Sequence, residues 1–134
     1  MPIDASPELL RGSLLAGLPL EARDAVERLI SGVDAAPVYA VGGTVRDLLL
    51  GRPLVDVDLA IEGDAIDAVR AAFPSARLTT HSRFRTARLT VDGVRIDVAT
   101  ARSETYARPG ALPKVARADI ETDLRRRDFT VNAI

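Results

Sequence analysis

Asp56 and Asp58 stand two residues apart in an apolar run, and Gly42, Gly43 and Arg46 lie a short way upstream in Val41-Gly42-Gly43-Thr44-Val45-Arg46-Asp47. Residues i and i+2 of a strand face the same side, so these carboxylates sit roughly 7 Å apart at Cα. Acids that close repel unless a cation compensates, and hard oxygen ligands suit Mg2+ or Mn2+. Glycines let backbone N–H groups approach phosphate oxygens, and a following helix presents its N-terminus to the anion. Arginine adds a fixed charge with a planar donor fork. Together these are the parts that a nucleoside triphosphate and its metal ions require. Each half has a plain alternative: a solvated acidic strand face for the aspartates, and a tight strand-to-helix turn for the glycines. Gly42-Gly43 matches neither the Walker nor the Rossmann pattern. Asp47 is expected to orient Arg46 or the turn, because an anion beside a phosphate site is costly.

Other residues could extend the site. Asp97 shares a strand face with Arg95. It could complete a three-carboxylate metal site and take the proton from an attacking hydroxyl, or it could be a paired surface acid. Arg125-Arg126-Arg127-Asp128 could hold a triphosphate tail or a ribose, although such a run is usually a solvated face. The single histidine, His81, falls in a polar loop between apparent strands and reads as a surface residue rather than a catalyst.

Regular elements must position these groups. Residues 7–17 and 20–31 read as two short helices. Leu9, Leu10, Leu14 and Leu15 share one face of the first, and Ala22, Val26, Leu29 and Ile30 one face of the second. Val38 to Val41 reads as a buried strand broken by Gly42-Gly43, and Thr44 to Leu50 as a helix closed by Gly51 and Pro53. Val55, Val57, Leu59 and Ile61 alternate with Asp56, Asp58 and Ala60, giving a strand with one apolar and one acidic face. Asp64 can cap a helix running to Phe73. Phe84 to Val91 and Val94 to Ala99 read as strands joined by a tight Asp92-Gly93 turn. Arg102 to Arg117, with Pro109-Gly110 and Pro113, reads as a loop. A last helix begins near Asp119, with Ile120 and Leu124 on one side. The predicted architecture is α/β, a small mixed sheet flanked by helices rather than a regular βαβ series.

Composition bounds the function. The chain has 134 residues, enough for one core. Hydrophobic residues make up 47%, with only two tyrosines and three phenylalanines, so the core is aliphatic. The formal net charge is −1, which speaks neither for nor against nucleic acid. There is no cysteine, which excludes disulfides, thiolate zinc sites and a cysteine nucleophile. The first twelve residues carry two acids and no long apolar run, unlike a signal peptide. No apolar run approaches the ~20 residues of a membrane span. A cytoplasmic protein is expected.

The motifs resemble a known family. Val41 to Gly51, with Asp56-Val57-Asp58 downstream, resembles the first motif of class II tRNA nucleotidyltransferases (CCA-adding enzymes) and bacterial poly(A) polymerases. Arg126-Arg127-Asp128-Phe129-Thr130-Val131-Asn132-Ala133 resembles their second motif. Arg95 to Arg102 and Glu104 to Gly110 are similar to the same head domain, so the resemblance covers roughly residues 37 to 134.

The resemblance implies a DNA-polymerase-beta-like nucleotidyltransferase fold. It implies transfer of a nucleotide from ATP or CTP to the 3′-hydroxyl of a tRNA or other RNA, releasing pyrophosphate. It assigns Asp56 and Asp58 to the metal ions, with Asp97 as a further active-site acid. It places Gly42, Gly43 and Arg46 at the triphosphate, and Arg127, Asp128 and Asn132 at the nucleotide, Asp128 near the ribose. CCA, CC, A and poly(A) addition share these motifs, and a non-catalytic nucleotide-binding module is the competing reading. Residues 1–36 read as a helical extension packed on a head formed by 37–134. The chain stops at Ile134 directly after the second motif, without the family's base-reading Glu-Asp-x-x-Arg-type motif or RNA-binding tail. It therefore reads as an isolated head domain.

Overall fold

The computed structural model describes residues 7–32 and 36–127. Five strands form a mixed sheet in the order β1-β2-β5-β4-β3. They are β1 (Val38–Ala40), β2 (Asp56–Ile61), β3 (Thr79–His81), β4 (Thr86–Val91) and β5 (Val94–Thr100). Only β2 and β5 run parallel, with Val57 opposite Ile96 and Leu59 opposite Val98. Strict alternation in β2 and β5 turns these apolar residues to one side and Asp56, Asp58, Arg95 and Asp97 to the other.

Helices α1 (Pro7–Ala16), α2 (Leu20–Gly32) and α4 (Ala65–Ala72) supply the rest of the core. Leu14, Val26 and Leu29 join Val69 and the inward residues of β2, β4 and β5 in one buried cluster. Ala22, Ala25, Val26 and Leu29 recur at helical spacing, which is why α2 buries one stripe. Asp64 caps α4 as the sequence suggested, accepting from the Asp67 N–H at 3.0 Å. Asp92 and Gly93 both take positive φ, 48° and 77°, the turn that suits the twist of a tight hairpin.

Two sequence expectations are corrected. Arg102 to Arg117 is not a loop. It forms a hairpin of β6 (Arg102–Thr105) and β7 (Lys114–Arg117), with Pro109-Gly110 and Pro113 confined to the connection. Ala101, fully buried, separates β5 from β6, and its N–H reaches the Ile61 carbonyl at 2.8 Å. His81 is likewise not in a loop but ends β3, a short polar edge strand paired with β4. It is exposed there, two strands away from β5, in the row of Thr86 and Ala99 rather than that of Arg88 and Asp97.

Helix α3 (Gly43–Leu49) follows β1, and α5 (Ile120–Arg125) closes the described chain. Asp119 caps α5 by accepting from the Thr122 N–H at 2.8 Å. Glu62, just beyond β2, accepts from the Ile120 N–H at 2.7 Å and fixes the start of α5 to the sheet.

Candidate active site

Parallel pairing of β2 with β5 sets the acids in rows across the open face of the sheet. Asp58 stands opposite Asp97, which stands opposite Arg88 of β4. Asp56 stands opposite Arg95, which stands opposite Thr90. The three sequence-predicted acids thus share one face, although Asp97 comes from a different strand.

Their partners differ. Arg95 Nε donates to Asp56 Oδ1 at 2.7 Å. Arg88 engages both oxygens of Asp97, Nη2 meeting Oδ2 at 3.2 Å. Asp58 has no ion-pair partner among the described residues. The Arg95 hydrogen bond holds the Asp56 carboxyl below its ordinary value. Burial pushes the Asp58 carboxyl up, and the like charges of Asp97 and Asp56 push it the same way. Among the described residues, no three acidic or histidine side chains converge as a ready-made cation cage, and two of the acids are paired with arginines. The chemistry of the side chains nevertheless fits a hard divalent cation: every candidate donor is a carboxylate oxygen, and Asp58 carries the like-charge repulsion that a cation would relieve.

The glycine pair lies against this face. Gly42 adopts φ 60°, ψ −130°, a combination open to glycine and strained for any residue with a Cβ. A Cβ on Gly43 would stand 3.1 Å from Arg46 Nη2 and 3.8 Å from Asp58 Oδ2. That closeness puts the Gly43 backbone and the Arg46 guanidinium beside Asp58. Asp47 accepts from Arg46 Nε at 3.1 Å, the orienting role its position suggested.

Thr44 was not singled out from the sequence. It is buried, and its Oγ1 accepts from the Asp58 N–H at 2.6 Å, tying α3 to β2 at the acidic residue itself. Thr44→Val is expected to cost about 1–3 kcal/mol, the penalty for stranding a shielded N–H. An unfolding midpoint in urea equal to that of the parent protein would show that this bond carries no weight.

Arg127 reaches the site from the end of α5, and its charge partly offsets the upward shift of Asp58. Asp123 of α5, another residue the sequence reading passed over, is buried beneath it. The signal was present as i, i+3 and i, i+4 spacing to Arg126 and Arg127. Asp128 and Asn132 lie outside the described residues. A cavity of about 390 Å3 lies away from the acids, between α1, β1 and α3, and is lined mainly by aliphatic side chains such as Leu14, Val45 and Leu48.

Comparisons with known proteins show which family the chain resembles. Residues 38–134 match the model of the poly(A) polymerase head domain. An A-adding tRNA nucleotidyltransferase of Geobacter sulfurreducens is 48% identical over 101 residues, which are 73% of this chain and 12% of that protein. A CCA-adding enzyme of Geobacillus thermodenitrificans is 43% identical over 100 residues, 72% of this chain and 24% of that protein. Among solved structures, an apo form of a CCA-adding enzyme superposes with a TM-score of 0.69 at 38% identity, covering 96% of this chain and 28% of that one. A tRNA nucleotidyltransferase complexed with a primer tRNA and an incoming ATP analogue gives a TM-score of 0.58 at 37% identity, covering 73% of this chain and 27% of that one. The chain therefore spans about a quarter or less of the length of these relatives.

Proposed function

The chain belongs to the poly(A) polymerase head-domain family, and we propose that it is the nucleotidyl-transfer head of an enzyme that extends the 3′ end of tRNA from ATP or CTP. The observation that carries this reading is the β2–β5 register, which sets Asp58 opposite Asp97 with Asp56 on the same face, beside Gly43 and Arg46. Relatives named for A addition, CC addition and CCA addition all match this stretch, so what they share is nucleotidyl transfer and not one base choice. No helix among the described residues is long and apolar enough to cross a membrane.

In this reading Asp56, Asp58 and Asp97 would hold Mg2+ or Mn2+, which when bound lowers the pKa of an attacking hydroxyl and neutralises charge on the leaving pyrophosphate. To hold the cation, Asp56 and Asp97 would give up their pairing with Arg95 and Arg88. Arg46, steadied by Asp47, offers its fork to the triphosphate, and the Gly43 backbone approaches without a Cβ in the way. Arg127 contacts the nucleotide, together with Asp128 and Asn132 of the second motif.

Titration of ATP and CTP, with and without Mg2+, tests the assignment on this chain and on Asp56→Ala/Asp58→Ala. Weak binding is expected, strengthened by Mg2+ and reduced in the variant. Equal, metal-independent binding by both proteins would sink the metal site. Incorporation of labelled nucleotide on tRNA lacking its 3′ end separates a transferase from a module that only binds nucleotide.

A further inference from the structure

Asp123 carries a carboxyl group, yet it is almost fully buried, at 1% exposure. Its Oδ1 accepts from Arg127 Nε at 3.1 Å and Nη2 at 2.9 Å. Its Oδ2 accepts from the Arg102 backbone N–H at 2.8 Å and from Arg126 Nη2 at 3.2 Å. Arg102 opens β6, two residues beyond the end of β5, the strand that carries Asp97. One carboxylate thus ties the Arg127 guanidinium to the backbone that continues from the acidic strand. Arg127 uses Nε and Nη2 on Asp123, and Nη1 has no protein partner among the described residues.

The surrounding cluster is poorly built as a source of stability. Glu104 receives Arg102 at 2.9 Å and Arg126 at 3.3 Å, while Nε of both arginines is buried without a partner. Buried ion clusters with stranded donors contribute little to folding compared with an apolar packing of the same volume. Fixing a geometry is the better account of such a cluster, and the side chain whose geometry faces the acids is Arg127.

We propose that Asp123 is a positioning residue that holds the Arg127 guanidinium in the orientation in which it meets the nucleotide. The inference rests on the nucleotidyl-transfer reading for what Arg127 touches, but not for how Arg127 is held. Preset orientation removes the ordering cost of a long side chain at the moment of binding.

The test combines Mg2+-ATP titration with the NMR signal of the Arg127 Nε–H, which reports side-chain order without any nucleotide. Asp123→Asn is expected to weaken Mg2+-ATP by about tenfold, the scale of one charge-assisted hydrogen bond, and to shift or broaden that signal. Arg127→Ala should lose a similar amount, and the double variant no more than either single one. Arg127→Lys, which keeps the charge at a partly exposed site, should also weaken binding because it loses the two-donor grip. Glu104→Gln, which touches Arg102 and Arg126 but not Arg127, should lower the melting temperature and leave affinity unchanged. An unmoved Arg127 signal in Asp123→Asn, additive losses in the double variant, or full affinity in Arg127→Lys would overturn the proposal. Full affinity in Arg127→Ala with a displaced signal in Asp123→Asn would count against Arg127 as a nucleotide contact and support the clamp.

Discussion

Asp58→Asn is expected to abolish the Mg2+-dependent gain in ATP affinity and to cut nucleotidyl transfer by about a thousandfold or more, several kcal/mol of lost charge stabilisation. The same change should raise the melting temperature of the metal-free protein. Asp58 faces Asp97 directly across the strands, and like charges directly opposite destabilise a sheet. Its carboxyl is also half-buried and held above its ordinary value. A raised value means that the folded state binds protons more readily than the unfolded one. Stability is therefore lost as the pH rises from the unfolded-state value, near 3.9, through the folded one. Asparagine has no such loss, so the two proteins should differ most at neutral pH and converge below about pH 4. Calorimetry across pH, paired with the ATP titration, checks both halves. A variant that melts lower than the parent at pH 7 would show Asp58 to be a structural support and not a strained functional acid.

Ile96→Ala is expected to cost about 2–5 kcal/mol, the range for deleting a fully buried aliphatic side chain together with the cavity it leaves. Ile96 has 0% exposure, on the strand in the middle of the sheet, with Val57 and Leu89 opposite it. A domain with a total stability of about 5–15 kcal/mol would lose a large fraction of it. Urea unfolding gives the number directly. A loss under about 1 kcal/mol would mean that the neighbours collapse to fill the space. Because Ile96 lies between Arg95 and Asp97 in sequence, nucleotide binding should fall only as the folded fraction falls.

Much of this fold can be read along the chain because its elements announce themselves locally. The alternation of Val57, Leu59 and Ile61 with Asp56 and Asp58 defines β2 and its acidic face without any long-range information. Asp92-Gly93 marks its own hairpin, and Asp64 and Asp119 mark helix starts. Strand β3 carries no such mark. It is three polar residues at a sheet edge, and only the neighbouring β4 makes it a strand. Strands β6 and β7 were hidden for a related reason, since exposed and half-buried residues around a Pro- and Gly-containing connection give no periodic signal.

The candidate site divides in the same way. Asp56, Asp58, Gly43 and Arg46 are close in sequence, and their chemistry can be inferred from spacing. The pairing of Arg88 with Asp97 follows from the two-residue Asp92-Gly93 turn, whereas the placing of Asp97 opposite Asp58 depends on the long-range β2–β5 pairing, which no local pattern states. Burial of Asp123 depends on the Arg102 backbone folding over it, which its spacing along the helix does not state.

The alternation of β2 has a consequence for how the chain avoids misfolding. A slip of one residue against β5 would turn Asp56 and Asp58 into the layer occupied by Val57 and Leu59, with no cation or arginine to meet them. Ionised carboxylates placed there cost far more than any misaligned backbone ladder returns. The acids proposed to hold the metal ions therefore also act as proofreaders of strand alignment. A chain folded with the wrong pairing is rejected by the same charges that the right pairing puts to use.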